Sequence, residues 1–215
     1  MSKQHAPGEY YHVFNRGMHK QDVFKNDTDR LRFLFLVLIF QGEVVLKNIS
    51  REVRQNVQSS TLHINRDLEN DALKSRAVEL VSFCLMPNHF HLIIKELKDG
   101  AIAKYMQRLL TAYTKYFNTK YDHTGHLFQG SYKSVWISDD RQLMHLSAYI
   151  HKNSRELKNW KGREGFYPWS SYQDYLSANR FGELLATGVV MDRYKKDEHA
   201  YEKFVKTSLA KEFVE

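Results

Sequence analysis

The chain has one cysteine, Cys84, among 215 residues. An internal disulfide is therefore excluded, as is a structural zinc site built on several thiolates. Within its apolar run, Cys84 reads as inert core filler. Nowhere do about 18 apolar residues follow one another, so no membrane-spanning helix is expected. The opening stretch, MSKQHAPGEYYHVFN, has no apolar segment of the kind a secretory leader needs, and a cytoplasmic protein is expected. No internal repeat or low-complexity tract interrupts the chain.

Apolar side chains make up 42% of the residues, enough to build a core and to set the chain apart from disordered sequences. The length suits one domain with room for an appendage. Lys and Arg outnumber Asp and Glu by 32 to 25, which gives a net charge of +7. With 13 Tyr and 13 Phe, that balance fits a polyanionic partner with stackable bases. Charge alone fits a merely soluble basic protein equally well.

Along the chain, EYYHVFNRG reads as a strand closed by Arg16 and Gly17. Asn26 or Asp27 caps an apolar helix that Gly42 ends. The polar stretch 43–77 carries no clear pattern. AVELVSFCLMPNHFHLIIKEL reads as two strands broken at Pro87, which lacks a ladder donor. AIAKYMQRLLTAYTKYFNTKY has the apolar spacing of a helix. TGHLFQG is a loop, SYKSVWIS a strand, and SDDRQLMHLSAYIHKNSREL a helix capped by Ser138 or Asp139. The residues after YPWSSYQDYL look helical, most clearly DEHAYEKFVKTSLAKEF. In YPWSSY, Trp169 closes the core and Ser170 caps the next helix. The order predicts an α+β fold: a ferredoxin-like split β-α-β antiparallel sheet with helices on one face. The helix carrying Tyr149 is an extra element, followed by a C-terminal helical extension.

His89 and His91 are two residues apart in a strand, so they share a face while Phe90 points into the core. Two such imidazoles can hold a divalent metal ion, or they can be polar residues on a half-exposed strand. His145, Tyr149 and Asn153 share one face of the later helix. Asn153 offers a hard amide oxygen and Tyr149 a phenol. Spacing alone also allows a half-buried aromatic and a helix cap.

MPNHFHLII carries the His-hydrophobic-His pattern of the HUH endonucleases. Together with YYHVFNRG, GHLFQGSYKS, YIHKNS and YPWSSY, in that order over residues 10–175, the chain resembles single-tyrosine IS200-like transposases, and most of all the REP-associated tyrosine transposases. The resemblance implies a catalytic domain over 1–176 and a C-terminal helical extension over 177–215. It implies a metal-dependent endonuclease and strand transferase acting on single-stranded or hairpin DNA. His89, His91 and Asn153 correspond to its metal site, taking Mg²⁺ or Mn²⁺, and Tyr149 to its nucleophile, which forms a 5′-phosphotyrosine. The protein is then a monomer or homodimer. Two positions depart from the family pattern. Ser154 stands where a proline is usual, so the helix is expected to run on. Ser131 stands where a basic residue is common, with Lys133 as its replacement.

For DNA contact the sequence offers Arg16, Lys104, Arg108, Lys115, Lys120 and Lys133, with Tyr105, Tyr113 and Tyr116 interleaved on the same helix. For any one of these the plain alternative is a solvated helix face or a core tyrosine. Lys152 is a further DNA candidate and, like His145, could assist loss of the phenolic proton. Two other functions fit parts of the pattern: a non-catalytic DNA-hairpin-binding protein, and a metal-dependent hydrolase of small phosphoesters in which Tyr149 has no role.

Overall fold

Alternation of side chains through the first strand, β1 (Tyr10–Arg16), sends Tyr11 and Val13 to one face of a sheet and His12 and Phe14 to the other. The structure is a computed structural model that describes residues 5–58 and 61–208. Gly17 ends the strand where a side chain cannot fit, since a Cβ there would meet the Gln21 carbonyl oxygen at 2.2 Å. The first helix, α1 (Asp27–Ile39), is buried almost all round, and Asn26 and Asp29 form a reciprocal capping box at its start. The stretch without a legible pattern folds as α2 (Ile49–Asn56), a two-residue-per-strand hairpin of β2 (Val57–Gln58) and β3 (Thr61–Leu62), and α3 (Arg66–Lys74).

The chain then makes β4 (Val78–Met86) and β5 (His89–Glu96), joined at Pro87 and Asn88. Next come α4 (Ala101–Tyr121), β6 (Lys133–Ile137) and α5 (Asp140–Lys152). The main sheet is antiparallel in the order β4-β5-β1-β6, with the register slipping once between Leu80 and Ser82. This is the α+β, split β-α-β arrangement expected from the order of elements.

Helices α1 and α4 cover the face that presents Phe90, whose ring lies 5.0 Å from that of Phe33. Helix α5 covers the opposite face, the one that presents His91. Being sandwiched explains why β4 and β5 read as nearly continuous apolar runs. Of the tyrosines that could stack on bases or sit in the core, Tyr105 and Tyr113 are buried in the core. Their hydroxyls donate to the carbonyls of Val37 and Val23.

Three short α-helices follow: α6 (Tyr172–Leu176), α7 (Gly188–Met191) and α8 (Glu198–Thr207). The last residues of the helix expected at the C-terminus lie outside the described residues. The segment leading into α6 closes the outer edge of β4. Leu85 N–H donates to the Trp169 carbonyl, Ser171 N–H to that of Phe83, and the Tyr175 hydroxyl to that of Val81. Trp169 is buried, and Ser170 Oγ accepts from Tyr172 N–H at the start of α6. Helix α8 packs on α5 and α6. Among the described residues, no helix is long and apolar enough to cross a membrane.

Candidate active site

Asp139 caps α5, its carboxylate accepting from Gln142 N–H at 2.8 Å. The buried face of the helix, Leu143, Leu146, Ser147, Ile150 and His151, fixes its rotation. Tyr149 and Asn153 are thereby turned toward β5. With serine rather than proline at 154, the chain continues past Lys152 as one 3₁₀ turn, Asn153–Glu156, and no further as helix.

Residues from four elements meet in a cleft of about 440 Å³. His89 and His91 enter from β5, Phe14 and Arg16 from β1, Lys133 from β6, and Tyr149 from α5. Asn153, Glu156, Gln129 and Ser131 complete the wall. The loop carrying Gln129 is held against β1, with Gln129 N–H donating to the Arg16 carbonyl and Asn15 Nδ2 to that of Gly130. The Tyr149 and His91 rings meet edge to face, 5.6 Å between centres.

The two histidines are both oriented through Nδ1. His89 Nδ1 lies 2.6 Å from Asn88 Oδ1, and Asn88 in turn donates from Nδ2 to the Lys20 carbonyl. His91 Nδ1 lies 2.9 Å from His12 Nε2. Burial lowers the pKa of His89, with Asn153 opposing and Arg16 adding to the shift. Burial, His12 and His89 together hold His91 well below the ordinary imidazole value. Both shifts favour the neutral ring, the form that ligates metals.

This geometry tests whether the residues fit a cation. Asn153 Oδ1 stands 3.1 Å from His89 Nε2, so amide oxygens face both nitrogens of one ring. A neutral imidazole has a single N–H. With that proton directed to Asn88, the Nε2 lone pair and the Asn153 oxygen face each other, and a cation relieves the conflict. Two imidazoles and an amide oxygen suit a divalent ion with open positions. Among the described residues, no group of three or more His, Cys, Asp or Glu side chains is gathered as a metal cage. The site fits a partly open ion, not a closed structural one.

Of the cations expected to contact DNA, Arg16 and Lys133 line this cleft, alongside Ser131. Lys104 and Arg108 border a different cavity, where Arg108 donates to the carbonyls of Gly42 and Val44. Lys115 borders a depression beside the 125–130 loop. Lys120 is paired with the buried carboxylate of Asp29 at 2.7 Å. Lys152 donates to the Ser208 carbonyl and His145 Nδ1 contacts Ser208 Oγ, and neither lines the cleft. His12, Asn88 and Glu156 went unread in the sequence. Alternation along β1 signals which face His12 occupies, but its meeting with His91 depends on the β1–β5 register.

The profile of the IS200-like transposase family matches residues 8–153, which span β1 through Asn153. The chain belongs to that family. It is also similar in fold to a REP-associated tyrosine transposase solved bound to a REP hairpin. The TM-score is 0.52 and the identity 12%, over 82% of this chain and 84% of that one. No curated protein matches the chain.

Proposed function

We infer that this transposase cuts and rejoins single-stranded DNA next to a hairpin, through a covalent bond between Tyr149 and a 5′ phosphate. The observation that carries this reading is the meeting of Tyr149 and Asn153 with His89 and His91 in one cleft that also holds Arg16 and Lys133. The REP hairpin is the ligand of the structural relative, and a hairpin-bearing strand is the substrate proposed here.

His89, His91 and Asn153 would hold the divalent ion, Mg²⁺ or Mn²⁺. When bound, such an ion draws charge from a non-bridging phosphate oxygen. Arg16 and Lys133 place the phosphate by charge. At pH 7 an ordinary phenol is ionised to roughly one part in a thousand, so its proton needs a base. Glu156, the carboxylate that lines the cleft, is the candidate acceptor. The Tyr149 oxygen forms a bond to phosphorus as the bond to the 3′ oxygen breaks, and that oxygen leaves as a hydroxyl by taking a proton from solvent or from Glu156, which has just received the phenolic one. One phosphoester replaces another, so a second 3′ hydroxyl can reverse the step without ATP.

The test is a labelled hairpin oligonucleotide with a single-stranded flank, incubated with Mg²⁺ or Mn²⁺. A band that survives denaturation is expected from the wild type and absent from Tyr149→Phe. An adduct that persists in Tyr149→Phe removes the nucleophile assignment. Salt-sensitive binding with no adduct, unchanged by His89→Ala, leaves a hairpin-binding protein instead.

A further inference from the structure

A histidine that ligates through one nitrogen is held in place by what its other nitrogen touches. The usual acceptor for that second N–H is a carboxylate, a backbone carbonyl or water. For His89 the acceptor is the amide oxygen of Asn88. For His91 the group facing Nδ1 is another imidazole. His12 Nε2 lies 2.9 Å from His91 Nδ1, and both side chains are buried.

The partner is itself held rigidly. In β1, His12 sits opposite Ile93, one pleat along from Phe14, which is opposite His91. The His12 ring stacks on Phe14 at 4.6 Å between centres, with planes 28° apart. It also lies 5.1 Å from the His91 ring at 21°. The sheet register thus decides where His12 Nε2 points.

We propose that His12 is a positioning residue for the metal site, accepting the Nδ1 proton of His91 so that His91 Nε2 is left as a lone pair facing the cleft. This rests on the metal reading above. Between two neutral imidazoles one nitrogen donates and the other accepts. If His12 donated instead, His91 would carry its proton on Nε2 and could not ligate. Ligation requires the arrangement with His91 protonated at Nδ1, the one assigned here to the metal-free protein as well. A neutral acceptor has a further consequence. It fixes the ligand as a carboxylate would, without placing a second anion where a phosphodiester must enter.

Glutamine keeps a polar atom near the position of His12 Nε2, whereas leucine removes the acceptor. The experiment compares wild type, His12→Gln and His12→Leu by Mn²⁺ binding, followed by electron paramagnetic resonance, and by nitrogen NMR of the His91 tautomer without metal. The wild type and His12→Gln are expected to show His91 protonated at Nδ1 and to bind Mn²⁺ within about threefold of each other. His12→Leu is expected to lose the single tautomer and bind roughly 10- to 100-fold more weakly. Equal Mn²⁺ binding by wild type and a folded His12→Leu overturns the inference alone. A wild type that binds no Mn²⁺ overturns the metal reading and the inference together. Should His12→Leu fail to fold, the wild-type tautomer decides, and a proton on Nε2 of His91 overturns the inference.

Discussion

The amide oxygen of Asn153 stands 3.1 Å from Nε2 of His89, across 64 residues of sequence. The contact links the end of α5 to the start of β5, so the helix that carries Tyr149 also brings the third donor of the proposed ion site. Asn153→Ala is expected to weaken Mn²⁺ binding roughly tenfold, about 1.4 kcal/mol. Asn153→Asp, which keeps an oxygen at that place, should bind at least as well as wild type. Calorimetric titration with Mn²⁺ separates the two.

Tyr149 is half-buried, edge-on to His91, and forms no part of the proposed donor set. Tyr149→Phe should therefore bind hairpin DNA and Mn²⁺ within about threefold of wild type. Covalent adduct formation should fall by roughly a thousandfold or more, as expected for loss of a nucleophile. Parallel loss of DNA binding and adduct would mean that the phenol serves the fold or the substrate contact instead.

Asp29 predicts how the fold responds to acid. Burial alone would raise its pKa, but hydrogen bonds from Lys120, Tyr121 and Tyr116 outweigh that and hold it below the ordinary carboxylate value. A carboxyl depressed in the folded state stabilises the protein above its unfolded pKa, and that contribution is lost as pH falls through the folded one. Asp29→Asn should cost about 2–3 kcal/mol at pH 7, since it leaves Lys120 without its anion. The difference in urea midpoint between wild type and Asp29→Asn should narrow as pH drops below about 4. A constant difference down to pH 2.5 would contradict the ion-pair account.

Arg16 and Lys133 line the cleft, while Arg108 is engaged by two backbone carbonyls elsewhere. Replacing Arg16 or Lys133 by alanine should weaken DNA binding and reduce the slope of log K against log salt by about one each. Arg108→Ala should leave that slope unchanged and lower the melting temperature. Fluorescence anisotropy over a salt series measures the first effect and thermal unfolding the second.

The sequence announced the sheet because β1, β4 and β5 alternate or run apolar in ways few other structures permit, α1 because cap residues and Gly42 bracket its apolar run, and α4 because its apolar spacing is helical. The 43–77 stretch stayed silent because β2 and β3 have two residues each, too short for a period to register. His89, His91, Tyr149 and Asn153 were legible as same-face pairs within one strand and one helix, and they do come together. Partners of single cations were not. Nothing local to Arg108 tells that it will meet the carbonyls of Gly42 and Val44, or that Lys120 will meet Asp29 across 91 residues. His12 falls between these cases: its face follows from alternation, but its partner follows only from strand register.

The far side of α5 has its own consequence. His151 is gripped at both nitrogens, by the Tyr201 hydroxyl at 2.7 Å and Ser171 Oγ at 2.8 Å, while Ser147 shares that Tyr201 hydroxyl. Lys152 and His145 add ties to Ser208. Turning Tyr149 toward the histidines of a second copy would mean releasing these ties or carrying the segments of Ser171, Tyr201 and Ser208 along with α5. Held by these ties, Tyr149 faces His89 and His91 of its own chain.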